Sequence, residues 1–144
     1  MKRAQKTELT VSCILQSALA EFGARGYAGG TINHICQSGI SKGLIYHNFQ
    51  NKDDLYLACL KISCSTLLSM LKEGRCGSDL TRYMQIRMDF FRNRPQEARI
   101  FFEAILQPPE SLLGQIQEIL CPLEEVNERV FEELLSSVTF STAA

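Results

Sequence analysis

The sequence has no tryptophan, two histidines and four prolines, and nowhere approaches the roughly 18 uninterrupted apolar residues of a membrane span. These absences exclude several classes. Six cysteines stand at positions 13, 36, 59, 64, 76 and 121, with no C-x-x-C pair and with His34 and His47 as the only imidazoles. Neither a zinc site nor a disulfide framework is written in that spacing, so reduced, mostly buried thiols are expected, with no metal and no cofactor. The opening "MKRAQKTELT" lacks the apolar core of a signal peptide. A cytoplasmic protein with no membrane partner is the expectation. No Cys-His or Ser-His-Asp grouping is supported by local spacing, and no carboxylate pair sits in an apolar setting. "GARGYAGG" lacks the G-x-G-x-x-G order and follows no strand, so an enzyme is not expected.

What is present is an ordinary globular composition, 45% hydrophobic and 22% charged, over 144 residues. The formal charge of -1 hides a gradient. Residues 1–61 hold seven Lys/Arg against four Asp/Glu, residues 62–94 six against three, and residues 95–144 two against nine. A basic front and an acidic rear suggest one end that faces a polyanion and another that faces solvent or a partner.

No segment alternates as a half-buried strand would, and the whole chain reads as all-α. Val11, Ile14, Leu15, Ala18, Leu19 and Phe22 form the stripe of an amphipathic helix that Gly26 is expected to stop. Thr31 caps a short helix carrying Ile32, Ile35 and Cys36 and ending near Ser38-Gly39. Ser41 caps a second short helix, in which Ile45 and Phe49 face inward with Ile40. Asn51, with Asp54 three residues on, opens a longer helix running to Leu71 or Lys72. Beyond Gly74 and Gly77, Ser78 is expected to cap a helix with Leu80, Tyr83, Met84, Arg87, Met88 and Phe91, and Pro95 to start another ending at Pro108-Pro109. Leu112 to Leu135 is helical in pattern with Pro122 as a kink or break, and "SSVTFSTAA" reads as an unstructured tail.

Two short helices joined across a glycine turn make a helix-turn-helix arrangement. With Ile40, Ile45 and Phe49 inward, the residues left outside are Lys42, Gly43, Leu44, Tyr46, His47 and Asn48. Two helical turns are about 10 Å long and fit a major groove about 12 Å wide. Lys42 can donate to guanine or phosphate, Leu44 can touch a thymine methyl, and Gly43 lets the backbone come close. Tyr46, His47 and Lys52 can donate to phosphate oxygens.

The stretch from Ile14 to Leu60, with "FGARGY", the helix-opening Thr31, "SKGLIYHNF" and "NKDDLY", resembles the DNA-binding domain of TetR-family bacterial transcriptional regulators. The resemblance implies that Thr31 caps the second helix against a phosphate, that Asn33 reaches bases, and that Ser41, Lys42, Gly43, Leu44, Tyr46, His47 and Lys52 line an operator in double-stranded DNA. His34 reads as a solvated helix residue. One residue fewer than is common in the family separates Ile35 from Ser41, so the last turn of the first helix or the angle between the two must adjust.

"FFRNRPQEARIFFEAILQPPESLLGQIQEI" is similar to the start of a TetR-type regulatory domain, which would enclose a small-molecule inducer. The candidates for its lining are Tyr83, Met84, Arg87, Met88, Phe91, Phe101, Phe102 and Ile105, which could equally be plain core. Arg87, on an otherwise apolar face, hints at an anionic ligand or pairs with Asp54 or Glu103. The expected organisation is a helix-turn-helix domain over residues 1–52, a linking helix over 53–72, and a helical regulatory domain within 53–144. The resemblance implies a homodimer formed through two further helices, which are not expected within these 144 residues. Exposed apolar surface is therefore expected around Leu112, Ile116, Leu120, Val130 and Leu134. The resemblance implies a ligand-responsive repressor. The alternative is a shortened regulator that acts as an interaction partner without binding an operator itself.

Overall fold

The structure, a computed structural model, describes residues 2–77 and 79–142, the last four of these as backbone only. Seven α-helices follow one another among the described residues: α1 Arg3–Gly29, α2 Ile32–Cys36, α3 Lys42–Asn48, α4 Lys52–Glu73, α5 Leu80–Asn93, α6 Pro95–Leu106 and α7 Leu113–Thr142. A single 3-10 turn, Glu110–Leu112, leads into the last. The described residues contain no strand, as the missing alternation predicts.

The apolar stripe places Ile14, Ala18, Leu19 and Phe22 in the core, but α1 begins eight residues before Val11 and does not end at Gly26. Gly26 kinks it instead, with φ +72°, a left-handed value that costs a residue with a Cβ about 1–2 kcal/mol. One further turn follows, closed by the Gly30 N–H on the Gly26 carbonyl at 3.0 Å. α2 stops at Cys36 rather than near Ser38. The last bonds are tight i to i+3 ones, Gln37 N–H to His34 O (3.0 Å), Ser38 to Ile35 (3.2 Å) and Gly39 to Cys36 (3.1 Å). Gly39 then turns the chain at φ +101°.

α4 is the core helix. Its buried Leu55, Tyr56, Cys59, Leu60, Cys64, Leu67 and Leu71 join one continuous apolar cluster that runs from Ile14 to Val130, with α1, α5, α6 and α7 packed around it. By length and composition α4 could cross a membrane (hydropathy 1.3), but that apolarity is used inward. Phe22 meets Tyr56 edge to face at 5.3 Å between ring centroids. Gly74 ends the helix as expected.

Asp79 caps α5, its side chain accepting the Arg82 N–H at 3.1 Å; the expected cap, Ser78, lies outside the described residues. Pro95 stands at the first position of α6, where its missing N–H is harmless. α7 departs from expectation in two ways. It is one helix through Pro122 and continues over the stretch expected to be an unstructured tail, as far as Thr142. Leu112, Ile116, Leu120 and Val130 are not exposed but buried, and Leu134 is half-buried, because α7 lays this stripe against α4. Leu113, Phe131, Leu135 and Val138 are exposed instead.

Candidate nucleic-acid interface

The interface begins at two caps. Thr31 Oγ1 accepts the His34 N–H at 3.1 Å and opens α2, while Ser41 Oγ accepts the Leu44 N–H at 3.2 Å and opens α3. Both hydroxyls sit on exposed residues and keep their own protons free to donate outward. Ile32 and Ile35 of α2 point into the core, as does Ile45 of α3 at 1% exposure. That anchoring turns Asn33, Lys42, Gly43, Leu44, Tyr46 and His47 to solvent. Leu44 and Tyr46 are 40% and 46% exposed, a large apolar and aromatic surface for a helix of seven residues. Asn48, read from sequence as outward, is half-buried and donates back to the Leu44 carbonyl at 2.9 Å.

The mounting of the two helices rests on residues that spacing did not single out. Glu21 of α1 accepts the Thr31 N–H at 3.0 Å and faces His34 Nδ1 at 3.2 Å and Arg25 Nε at 3.4 Å. A carboxylate can only accept, so His34 presents its Nδ1 proton to it. His34 is thus half-buried and engaged, not the solvated residue expected. On the other side, Ser38 Oγ donates to the Ile35 carbonyl at 2.8 Å and lies 3.1 Å from Ser17 Oγ of α1.

The start of α4 carries the remaining cation. Asn51 Oδ1 caps it through the Asp54 N–H (2.8 Å), and Asp54 reaches back to the Gln50 N–H (3.1 Å), one residue earlier than the expected reciprocal partner. Lys52 is half-buried, with Nζ 4.6 Å from the centre of the Tyr27 ring. The Tyr27 hydroxyl donates to Asp53 at 2.5 Å; that bond, followed by burial, raises the Tyr27 phenol above its ordinary range. Tyr27 is in turn held from behind. Its N–H donates to Glu103 of α6 at 3.0 Å, and the same carboxylate accepts the buried Tyr56 hydroxyl at 2.8 Å. Burial first, then Glu103, pushes the Tyr56 phenol far above its usual range. The aromatic that closes "FGARGY" was a visible signal for Tyr27. Glu103 lies 76 residues away and had none.

The eight residues expected to line a ligand cavity are spread over three environments. Tyr83 and Phe101 are buried in the core, Arg87 and Phe91 are half-buried, and Met84, Met88, Phe102 and Ile105 are exposed. Met84 and Met88 border an open groove of about 660 Å³ along α5. Arg87 pairs with neither Asp54 nor Glu103. It donates instead to the Tyr83 hydroxyl at 2.8 Å and weakly to Asn127 Oδ1 at 3.4 Å.

Two capped short helices set across a glycine turn, anchored by Ile32 and Ile35 in α2 and by Ile45 in α3 and presenting cations and hydroxyls outward, define a helix-turn-helix unit. Residues 14–59 match the bacterial regulatory proteins of the tetR family. The match spans α2 and α3 with the adjoining parts of α1 and α4. The chain is similar to the HTH-type transcriptional regulator RutR of Escherichia coli (strain K12), 26% identical over 120 residues that make up 80% of this chain and 57% of the relative. It is also similar to the biofilm operon icaADBC HTH-type negative transcriptional regulator IcaR of Staphylococcus aureus (strain Newman), 24% identical over 127 residues, 83% of this chain and 68% of that protein. The chain thus spans a little over half the length of RutR.

Proposed function

We propose that this chain is a cytoplasmic, ligand-responsive transcriptional repressor that binds an operator in double-stranded DNA as a homodimer. Residues 1–52 form the DNA-binding unit, α4 links it onward, and residues 53–144 form the regulatory unit. The observation that carries this reading is the division of α3: Ile45 is buried while Lys42, Gly43, Leu44, Tyr46 and His47 are all exposed on two capped turns. The N-terminal part of α3 meets base edges through Lys42 and Leu44, and Asn33 reaches bases from α2. Thr31, Ser41, Tyr46, His47 and Lys52 donate to phosphates and fix the register. Two such units on one face of the duplex, roughly 34 Å apart, give the specificity that a single unit lacks.

The negative regulator IcaR among the relatives supports repression over activation. An outward surface of this chemistry supports operator binding over a purely protein-interacting role. A gel-shift titration against the region upstream of the protein's own gene tests the reading. Salt-sensitive, sequence-selective binding that Lys42→Ala with Tyr46→Ala abolishes is the expected result. Binding that ignores sequence, or ignores those two substitutions, would sink it.

A further inference from the structure

Arg87 differs from its neighbours in what balances it. Arg25 and Arg94, more open to solvent, lie 3.4 and 3.3 Å from Glu21 and Glu97. Arg87 is half-buried on α5, yet no described carboxylate pairs with it, and Glu103 is committed to Tyr27 and Tyr56. Its charge rests against ring faces, 5.6 Å from the centre of Tyr83, 5.7 Å from Phe91 and 5.9 Å from Phe101. Such contacts stabilise a cation only modestly, and a partly desolvated guanidinium without an anion is an incomplete arrangement.

Only Nη1 of the guanidinium is engaged, with the Tyr83 hydroxyl and Asn127 Oδ1. Nε and Nη2 have no acceptor among the described residues. The Tyr83 hydroxyl is itself bonded to Asn127 Oδ1, which fixes that amide so that its Nδ2 remains a donor. The polar atoms left over are therefore all donors, and Arg87 Nε and Nη2 form one edge of a planar fork of the kind that takes a carboxylate bidentately. Phe91, on which the guanidinium rests, lies 4.6 Å from Phe102 between ring centres, and Phe102 is exposed, so aromatic surface runs from Arg87 toward solvent.

We propose that Arg87, Asn127 and the rings of Phe91, Phe101 and Phe102 form a binding site for a small organic acid with an aromatic or other apolar body. The proposal rests on the ligand-responsive reading above and gives the ligand its chemical class. The carboxylate meets Arg87 Nε and Nη2 with Asn127 Nδ2 beside it, and the apolar body lies on Phe91 and Phe102.

Isothermal titration of the full chain with benzoate, its neutral isostere benzamide and inorganic phosphate tests this directly. Benzoate should bind at one site per chain, about tenfold or more tighter than benzamide or phosphate. Arg87→Gln should erase the preference for benzoate over benzamide, and Arg87→Lys, which keeps the charge but loses the fork, should retain part of it; unchanged melting curves establish that both variants fold. Equal binding of benzoate and benzamide, benzoate affinity untouched by Arg87→Gln, or phosphate binding as tightly as benzoate would overturn the proposal. A parallel gel shift with benzoate separates the two readings. If benzoate binds through Arg87 and leaves operator affinity unchanged, the acid site stands and ligand control by it does not.

Discussion

Glu103 of α6 accepts the backbone N–H of Tyr27 at the kink of α1, 76 residues earlier, at 3.0 Å. The same carboxylate takes the hydroxyl of Tyr56 in the middle of the core. One side chain thus fastens the helix that bears Phe101 and Phe102 to the turn on which Lys52 and Asp53 lean through Tyr27.

Removing that acceptor leaves two donors without partners, one of them on the fully buried Tyr56. Glu103→Ala should cost about 1–3 kcal/mol of stability in urea unfolding. Tyr56→Phe should cost less in the Glu103→Ala background than in the parent, because it deletes the orphaned hydroxyl. Additive losses would mean that the two residues are not energetically coupled.

Gly26 tests the other side of the same contact. A Cβ there would lie 2.6 Å from Glu103 Oε2, on a backbone at φ +72°. Gly26→Ala should therefore destabilise by about 1–3 kcal/mol, combining the left-handed strain with displacement of the carboxylate. Its midpoint of thermal unfolding should fall accordingly, whereas Gly43→Ala, with open space around it, should not lower the midpoint through a clash.

The thiols give a pH dependence of definite sign. Burial pushes Cys59 and Cys64 from an ordinary 9.0 up to about 12. A raised folded-state value means that the protonated thiol contributes stability in full below the unfolded value and loses it as pH climbs from about 9 toward 12. Unfolding free energy should fall over that alkaline window, and less so for Cys59→Ala relative to its own value at neutral pH. In the native protein at neutral pH, alkylating reagents should reach exposed Cys13 and Cys121 and leave Cys59 and Cys64 unmodified. Cys121 should react more slowly than an isolated thiol, since Glu125 raises its pKa.

Proposed phosphate contacts and proposed base contacts should separate by salt dependence. Lys52→Ala should weaken binding to all sequences alike and reduce the slope of log affinity against log salt by about one. Leu44→Ala should leave that slope unchanged and alter base preference at one position of the half-site. A slope change from Leu44→Ala, or none from Lys52→Ala, would reverse the roles assigned to them.

Much of this was legible in the chain because it is local. Ser41 and Asn51 cap the helices they precede, Pro95 and Gly74 bound helices as such residues do, and the 3.6-residue stripe of α1 names its buried face. What spacing could not give depends on partners far along the sequence. The Leu112, Ile116, Leu120 and Val130 stripe read as uncovered because nothing local says that α4 lies under it. "SSVTFSTAA" read as a tail because small polar residues carry little helical preference, and continuation of α7 overrides it. His34 read as solvated because its partner Glu21 sits on another helix.

The helix proposed to read bases, α3, is lightly anchored. Of its seven residues, Ile45 alone is buried, and Asn48 and Phe49 give it one back-bond and one half-buried neighbour. With one buried side chain against the eight of α4, it should open locally before that core, as faster amide hydrogen exchange in α3 than in α4 would show. On the operator-binding reading, a duplex would stiffen a helix that the scaffold only aims, and part of the free energy of a correct match would go into holding it still.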